Sequence, residues 1–226
     1  MVNLVNIAAI ATLKNRENEI TQERLRDAVL QVSIGKVNKS IHPSQKVINN
    51  TAVHEAGHTV VALFTPGAKK VDLLTILPRG PSLGSTWLTP KEGAQYLQSY
   101  EEMLGQLDVM MGGHAAEELV FGRENATSGA SSDFKNATNL AVAMVAQFGM
   151  SDSLGKFSSD PGQFSQWSPY LKEQVLTEAR KLTDDSYCRA FNLLKEKRSV
   201  LNKMVNEVSR KDTLLQDEIY EIAQIR

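Results

Sequence analysis

His54-Glu55-Ala56-Gly57-His58 sets two imidazoles and a carboxylate inside one turn of an otherwise apolar segment. From Ser44 to Phe64 the apolar residues Val47, Ile48, Val53, Ala56, Val60, Val61 and Phe64 recur at helical spacing, and Thr65-Pro66-Gly67 then ends the helix sharply. Residues four apart in a helix lie one turn apart on the same face. His54 and His58 can therefore reach one cation together, as in a zinc site with bonds of about 2.0–2.1 Å. Glu55 projects beside them, where a carboxylate can act on water as general base. Gly57 lets another backbone approach closely. A chance HExxH in a chain of this length is on the order of one in a hundred. The plain alternative is polar decoration of a helix surface, which fits poorly with a largely apolar helix. Two of the four histidines fall in this single turn.

A catalytic zinc site needs a third protein ligand and one open position. The extended HExxHxxGxxH pattern is absent, because Thr59-Val60-Val61-Ala62-Leu63-Phe64 follows His58. The third ligand must come from farther along the chain. Asp108, His114, Glu117, Glu118, Asp133 and Asp152 are the candidates. Asp133 also reads as a first-turn acid that favours a helix dipole, and Glu117 and Glu118 as an exposed helix face or an ion pair. The residues alone leave the choice open.

Around this motif the pattern is mainly α (α+β), a helical domain built on the HExxH helix with one small β-sheet. Two short helices are expected first, over residues 2–13 and from an N-cap at Thr21 to a stop at Gly35. They are too small to bury a core alone. Residues 37–43, ending in His42-Pro43, form a polar linker. The extended runs Val71–Leu77 and Leu83–Leu88, separated by the loop Pro78-Arg79-Gly80-Pro81, are the only β region expected. Helices follow over about 99–121 and 131–148, with a loop over 122–129. An irregular stretch covers 151–168. From Pro169 the chain is helical, with breaks near Lys197-Arg198 and Lys211-Asp212. No solenoid repeat is present.

Composition excludes several function classes. Lys+Arg numbers 25 and Asp+Glu 26, for a net charge of −1, so no basic excess draws nucleic acid or an anionic membrane. One cysteine, Cys188, cannot form an intrachain disulfide. No run of about 18 apolar residues spans a bilayer, the N-terminus is not a signal peptide, and no Walker A loop is present.

Several further motifs occur in order. They are Thr75-Ile76-Leu77-Pro78-Arg79-Gly80, Leu83-Gly84, Met111-Gly112-Gly113-His114-Ala115-Ala116-Glu117-Glu118-Leu119-Val120-Phe121-Gly122, Thr127-Ser128-Gly129-Ala130-Ser131-Ser132-Asp133 and Phe148-Gly149-Met150-Ser151-Asp152. With Val53-His54-Glu55-Ala56-Gly57-His58 they resemble the peptidase domain of the FtsH family, the membrane-bound, ATP-dependent AAA zinc proteases. The resemblance runs from Ser44 to Arg226 and is nearest to the mitochondrial i-AAA branch. Residues 1–36 resemble the last helices of an AAA lid.

The resemblance implies that 44–226 is a zinc metallopeptidase domain. It implies Zn²⁺ held by His54, His58 and Asp133, with Glu55 as the catalytic glutamate. It implies an edge strand at Leu83, Gly84, Ser85 and Thr86 that pairs with an extended substrate, which suits an edge whose N–H and C=O groups are free. For the complete protein it implies a hexameric ring tethered to an organelle inner membrane, that of the mitochondrion. Such a ring uses ATP and Mg²⁺ in a separate ATPase domain and degrades unfolded or membrane-associated proteins in quality control. The membrane span and most of the ATPase would lie outside this chain, so Met1 reads as an artificial start or a processed end. His114 departs from the Arg or Lys that family members carry after the double glycine, and reads as a packing residue. The rival class is an assembly module that keeps the fold without catalysis, which the intact HExxH argues against.

Overall fold

The computed structural model describes residues 2–33, 35–38, 40–79, 82–89 and 97–225. Of the sequence expectations, Met1, Lys39 in the linker, and Gly80 and Pro81 in the loop lie outside the described residues.

The element that organises the chain is α3 (Gln45–Phe64), which follows α1 (Val2–Lys14) and α2 (Gln22–Ser33). Ser44 caps α3, its hydroxyl accepting from the Val47 N–H, and the chain leaves at extended Thr65. Ala52 to Ala62 is buried almost without a break, save His54. A helix that is apolar all round must be enclosed, and α3 is packed by α4 (Tyr100–Phe121), α6 (Pro169–Glu196), α7 (Arg198–Lys211) and the sheet. The α4 helix starts with a capping box, in which the Ser99 hydroxyl accepts from Glu102 N–H and the Glu102 carboxylate accepts from Ser99 N–H. It runs against α3 through Gly112, which faces Gly57 and permits a close crossing.

The sheet is antiparallel in the order β2–β1–β3, from β1 (Lys70–Thr75), β2 (Ser85–Thr89) and β3 (Thr213–Leu215). The two early strands fall where the sequence places them. β3 lies in the stretch read from sequence as helix with a break. Asp212 takes a left-handed conformation, φ +59°, which ends α7. Its carbonyl then accepts from the Ile76 N–H at 2.9 Å and the Thr75 hydroxyl at 3.1 Å. Three residues pair with β1, and Leu214 becomes fully buried. Burial of one leucine, about 2 kcal/mol, outweighs the helical preference of so short a segment. α8 (Gln216–Ala223) follows at once. β2 is left as an outer strand, with one edge unpaired among the described residues.

The main core joins α3, α4, α6, α7, α8 and the sheet, with Leu74, Leu107, Met144, Leu194, Leu201, Met204, Leu214 and Ile219 fully buried. α5 (Ser131–Ala146) enters it after a short 3₁₀ turn at Ser128–Ala130, so Asp133 stands in the first turn of that helix. Among the described residues, no helix is long and apolar enough to cross a membrane.

Candidate metal centre

Two helices bring three side chains to one point. α3 brings His54 and His58, one turn apart, and the first turn of α5 brings Asp133. The His54 Nε2 lies 3.1 Å from the His58 Nε2. Asp133 Oδ2 is 3.2 Å from the first and 3.4 Å from the second. Among the described residues, no other group of three or more His, Cys, Asp or Glu side chains gathers so closely.

The rings are aimed from behind. His58 Nδ1 donates to the Val109 carbonyl oxygen at 2.6 Å. His54 Nδ1 donates to Glu117 Oε1 at 2.7 Å, and Glu117 Oε2 accepts from the Thr127 N–H at 2.6 Å. A carbonyl can only accept, so the proton of a neutral His58 sits on Nδ1 and its Nε2 lone pair faces inward. The Glu117 carboxylate favours the same tautomer at His54.

This donor set fits zinc. Four ligands at about 2.0–2.1 Å around a tetrahedral zinc stand about 3.3 Å apart, against 3.1, 3.2 and 3.4 Å here. Two imidazole nitrogens and one carboxylate are the ligand types of a catalytic zinc site with an open fourth position. Gly113 keeps the cradle clear, since a Cβ there would lie 2.5 Å from both His54 Cε1 and His58 Nε2.

Without a cation the electrostatics are tight. Burial disfavours the His54 imidazolium, but hydrogen bonds to Asp133 and Glu117 overcome it and push the group up to about 10. Burial would raise Asp133, yet bonds to both histidines hold it far below the usual carboxylate range. Glu117 is likewise lowered, its burial outweighed by His54 and Thr127. Glu55 goes the other way. It is 8% exposed, and burial pushes its carboxyl up against the pull of His58, His54 and the Thr86 hydroxyl.

None of the other ligand candidates faces the two inner nitrogens. Glu117 stands on the outer nitrogen of His54. Asp108 pairs with Arg189, at 2.7 Å to Nη2. Glu118 accepts from the Tyr187 hydroxyl. His114 stacks edge-on against Phe134, with ring centres 5.0 Å apart. Asp152 is exposed in a turn between Ser151 and Gly155.

A groove of about 430 Å³ runs beside His54, bordered by Val47, Thr51, Leu83, Thr127 and Ser128. Leu83 and Gly84 lead into β2, which begins at Ser85. Gly84 is pressed on α3, where a Cβ would meet Thr51 Cγ2 at 2.6 Å and Glu55 Cγ at 2.8 Å. The Thr86 side chain turns inward to Glu55, with Oγ1 to Oε2 at 2.9 Å.

Sequence reasoning missed three features here: the Thr86 hydroxyl, the Val109 carbonyl and the clearance at Gly113. Gly113, four residues before Glu117, was a usable signal, since i and i+4 share a helix face. The Val109 carbonyl had none, because every residue carries one.

The chain is 36% identical over 233 residues to the ATP-dependent zinc metalloprotease FtsH of Endomicrobium trichonymphae, covering 98% of this chain and 36% of that protein. It is 40% identical over 194 residues to the human ATP-dependent zinc metalloprotease YME1L1, covering 85% and 25%. It is 37% identical over 225 residues to the YME1 homolog of Caenorhabditis elegans, covering 96% and 31%. The chain thus spans about a quarter to a third of the length of these relatives. Residues 41–222 match the model of peptidase family M41, and the chain belongs to that family.

Proposed function

We propose that the chain is the zinc-dependent endopeptidase part of an ATP-dependent protease. The observation that carries this reading is the meeting of His54, His58 and Asp133, whose ligand atoms all lie within 4.8 Å of one another, beside the buried carboxylate of Glu55. His54, His58 and Asp133 would hold Zn²⁺. Bound there, zinc supplies Lewis acidity, polarising a peptide carbonyl and acidifying a water molecule.

The chain's own groups do the rest. The Nδ1–H groups of His54 and His58, tied to Glu117 and Val109, keep both Nε2 lone pairs directed inward. Glu55 takes a proton from the attacking water on its carboxylate and returns it to the leaving amine. Its raised affinity for protons brings it nearer the range where both steps are efficient. The outer edge of β2, with Leu83, Gly84, Ser85 and Thr86, binds an extended polypeptide by backbone hydrogen bonds. Such binding is indifferent to side chains, which suits unfolded substrates.

For the complete protein the reading extends to residues the chain does not contain. Residues 1–36 would end an AAA lid, 37–43 would link it to the peptidase domain of 44–226, and an ATPase with ATP and Mg²⁺ would precede them. Its partners would be unfolded or membrane-associated polypeptides and further copies of itself in a hexameric ring. The i-AAA resemblance suits quality control at the mitochondrial inner membrane. The names of the relatives support the ATP-dependent zinc protease reading.

Zinc content and casein cleavage test it. Glu55→Gln keeps zinc and slows cleavage by about 10²–10⁴-fold. His54→Ala and Asp133→Ala lose zinc, while Asp108→Ala and Glu118→Ala retain it. Cleavage by Glu55→Gln at the parent rate, or full zinc in Asp133→Ala, would overturn the assignment.

A further inference from the structure

Glu55 is held from outside its own helix. We propose that Thr86 is a positioning residue that fixes the Glu55 carboxylate for proton transfer, which rests on the reading of Glu55 as the base. Among the described residues, the Thr86 hydroxyl is the one hydrogen-bond donor to that carboxylate, with Oγ1 to Oε2 at 2.9 Å.

The direction of the bond follows from counting protons. A hydroxyl has one. The Thr86 Oγ1 is also 3.0 Å from the Glu55 carbonyl oxygen and 3.3 Å from the Thr59 Oγ1. That carbonyl already accepts from the Thr59 hydroxyl at 2.9 Å, besides its helical bond. The Thr86 proton is therefore left for the carboxylate, where a charged acceptor makes the stronger bond.

The support is rigid at both ends. Thr86 is β-branched, with few χ1 states, and sits on β2 opposite Leu74, which is fully buried. Just before it, Gly84 is pressed against Thr51 and Glu55. Glu55 by contrast has three rotatable side-chain bonds, and a general base is effective only within hydrogen-bond reach of the proton it takes. A carboxylate free to swing loses the advantage of pre-set geometry. The segment that borders the groove at Leu83 thus runs directly into the strand that aims the base.

The test uses the zinc-loaded full chain. Thr86→Val removes the hydroxyl at nearly constant shape. Its kcat falls by about 10–100-fold, the range for orienting partners, with KM within about twofold and zinc content unchanged. Thr86→Ser restores kcat to within about threefold of the parent. In a Glu55→Gln background, Thr86→Val causes no further loss of residual activity. Thermal melts of the zinc-stripped single and double variants give a second readout, in which the two substitutions are not additive. The proposal is wrong if Thr86→Val keeps the parent kcat, if Thr86→Ser is as slow as Thr86→Val, or if the two substitutions are additive. Should Thr86→Val not fold, Thr86→Ala against Thr86→Ser gives the same contrast of one hydroxyl. Parent-level cleavage by Glu55→Gln would instead remove the base reading itself, and so separates the two failures.

Discussion

Gly57 of α3 and Gly112 of α4 stand backbone to backbone. A Cβ at Gly112 would lie 2.9 Å from the Gly57 carbonyl oxygen, and one at Gly57 would run into the Gly112 carbonyl and lie 2.5 Å from Ala116 Cβ. The two helices can cross this closely only because neither carries a side chain there. The crossing also sets the metal site, because His54 and His58 flank Gly57 on one helix while Gly113 and Glu117 follow Gly112 on the other. Helix packing and donor placement are therefore one constraint.

Gly113 of α4 and Gly57 of α3 separate under substitution. Gly113→Ala adds a methyl 2.5 Å from His54 Cε1 and His58 Nε2, so the rings must turn and zinc is lost. Gly57→Ala meets backbone on the facing helix, which cannot yield, and overpacking of about 1–3 kcal/mol or more follows. Zinc content and thermal melts should show Gly113→Ala failing first in metal and Gly57→Ala failing first in stability. Equal zinc in Gly113→Ala and the parent would sink the cradle argument.

Glu117→Gln tests the support behind His54. The amide keeps an oxygen for the His54 Nδ1–H, now at 2.7 Å, but loses the charge that raises the basicity of the ring and turns an NH₂ to the Thr127 N–H in place of an acceptor. Zinc affinity should fall by about 10–100-fold, measured by competition with a chromogenic chelator. An unchanged affinity would assign Glu117 a packing role only.

The HExxH helix was legible because its spacing, its apolar flanks and its sharp end all demand one structure. The two early strands were legible for the same reason, each being a short extended run next to a Pro- and Gly-rich loop. β3 was not. Thr213-Leu214-Leu215 carries no alternating pattern, and its conformation comes from Asp212 turning left-handed and from pairing with a strand nearly 140 residues earlier. The third member of the site was also beyond spacing rules. Asp133 and Glu117 are both acids on helices, and only tertiary placement puts one on the inner nitrogens and the other on the outer one. Resemblance to a family distinguished them where residue chemistry did not.

Leu214→Ala measures how much the third strand matters. The side chain is fully buried in the common core, so its loss should cost about 2–5 kcal/mol by transfer and cavity terms. Denaturant unfolding gives the value. A cost below about 1 kcal/mol would mean that β3 contributes little and that the chain beyond Asp212 is held by α8 alone.

Without metal, the stability of the fold depends on pH through the groups of the site. In the chelated protein His54 is held up at about 10 against an ordinary value of 6.5, burial being overcome by Asp133 and Glu117. A group raised on folding adds stability that is complete below its unfolded value and is lost as pH climbs through its folded one. The buried Glu55 carboxyl, also raised, acts in the same direction. Asp133 and Glu117 are lowered, so their contribution is present above the ordinary carboxylate range and disappears only in acid. The melting temperature of the zinc-stripped protein should therefore decline from about pH 6.5 towards pH 10, and Asp133→Asn should flatten that decline. Zinc displaces the same protons, so the loaded protein should show the opposite trend, gaining stability as pH rises from 5 to 7. A flat profile in EDTA, indistinguishable from that of Asp133→Asn, would mean that the His54–Asp133 contact does not exist in the metal-free fold.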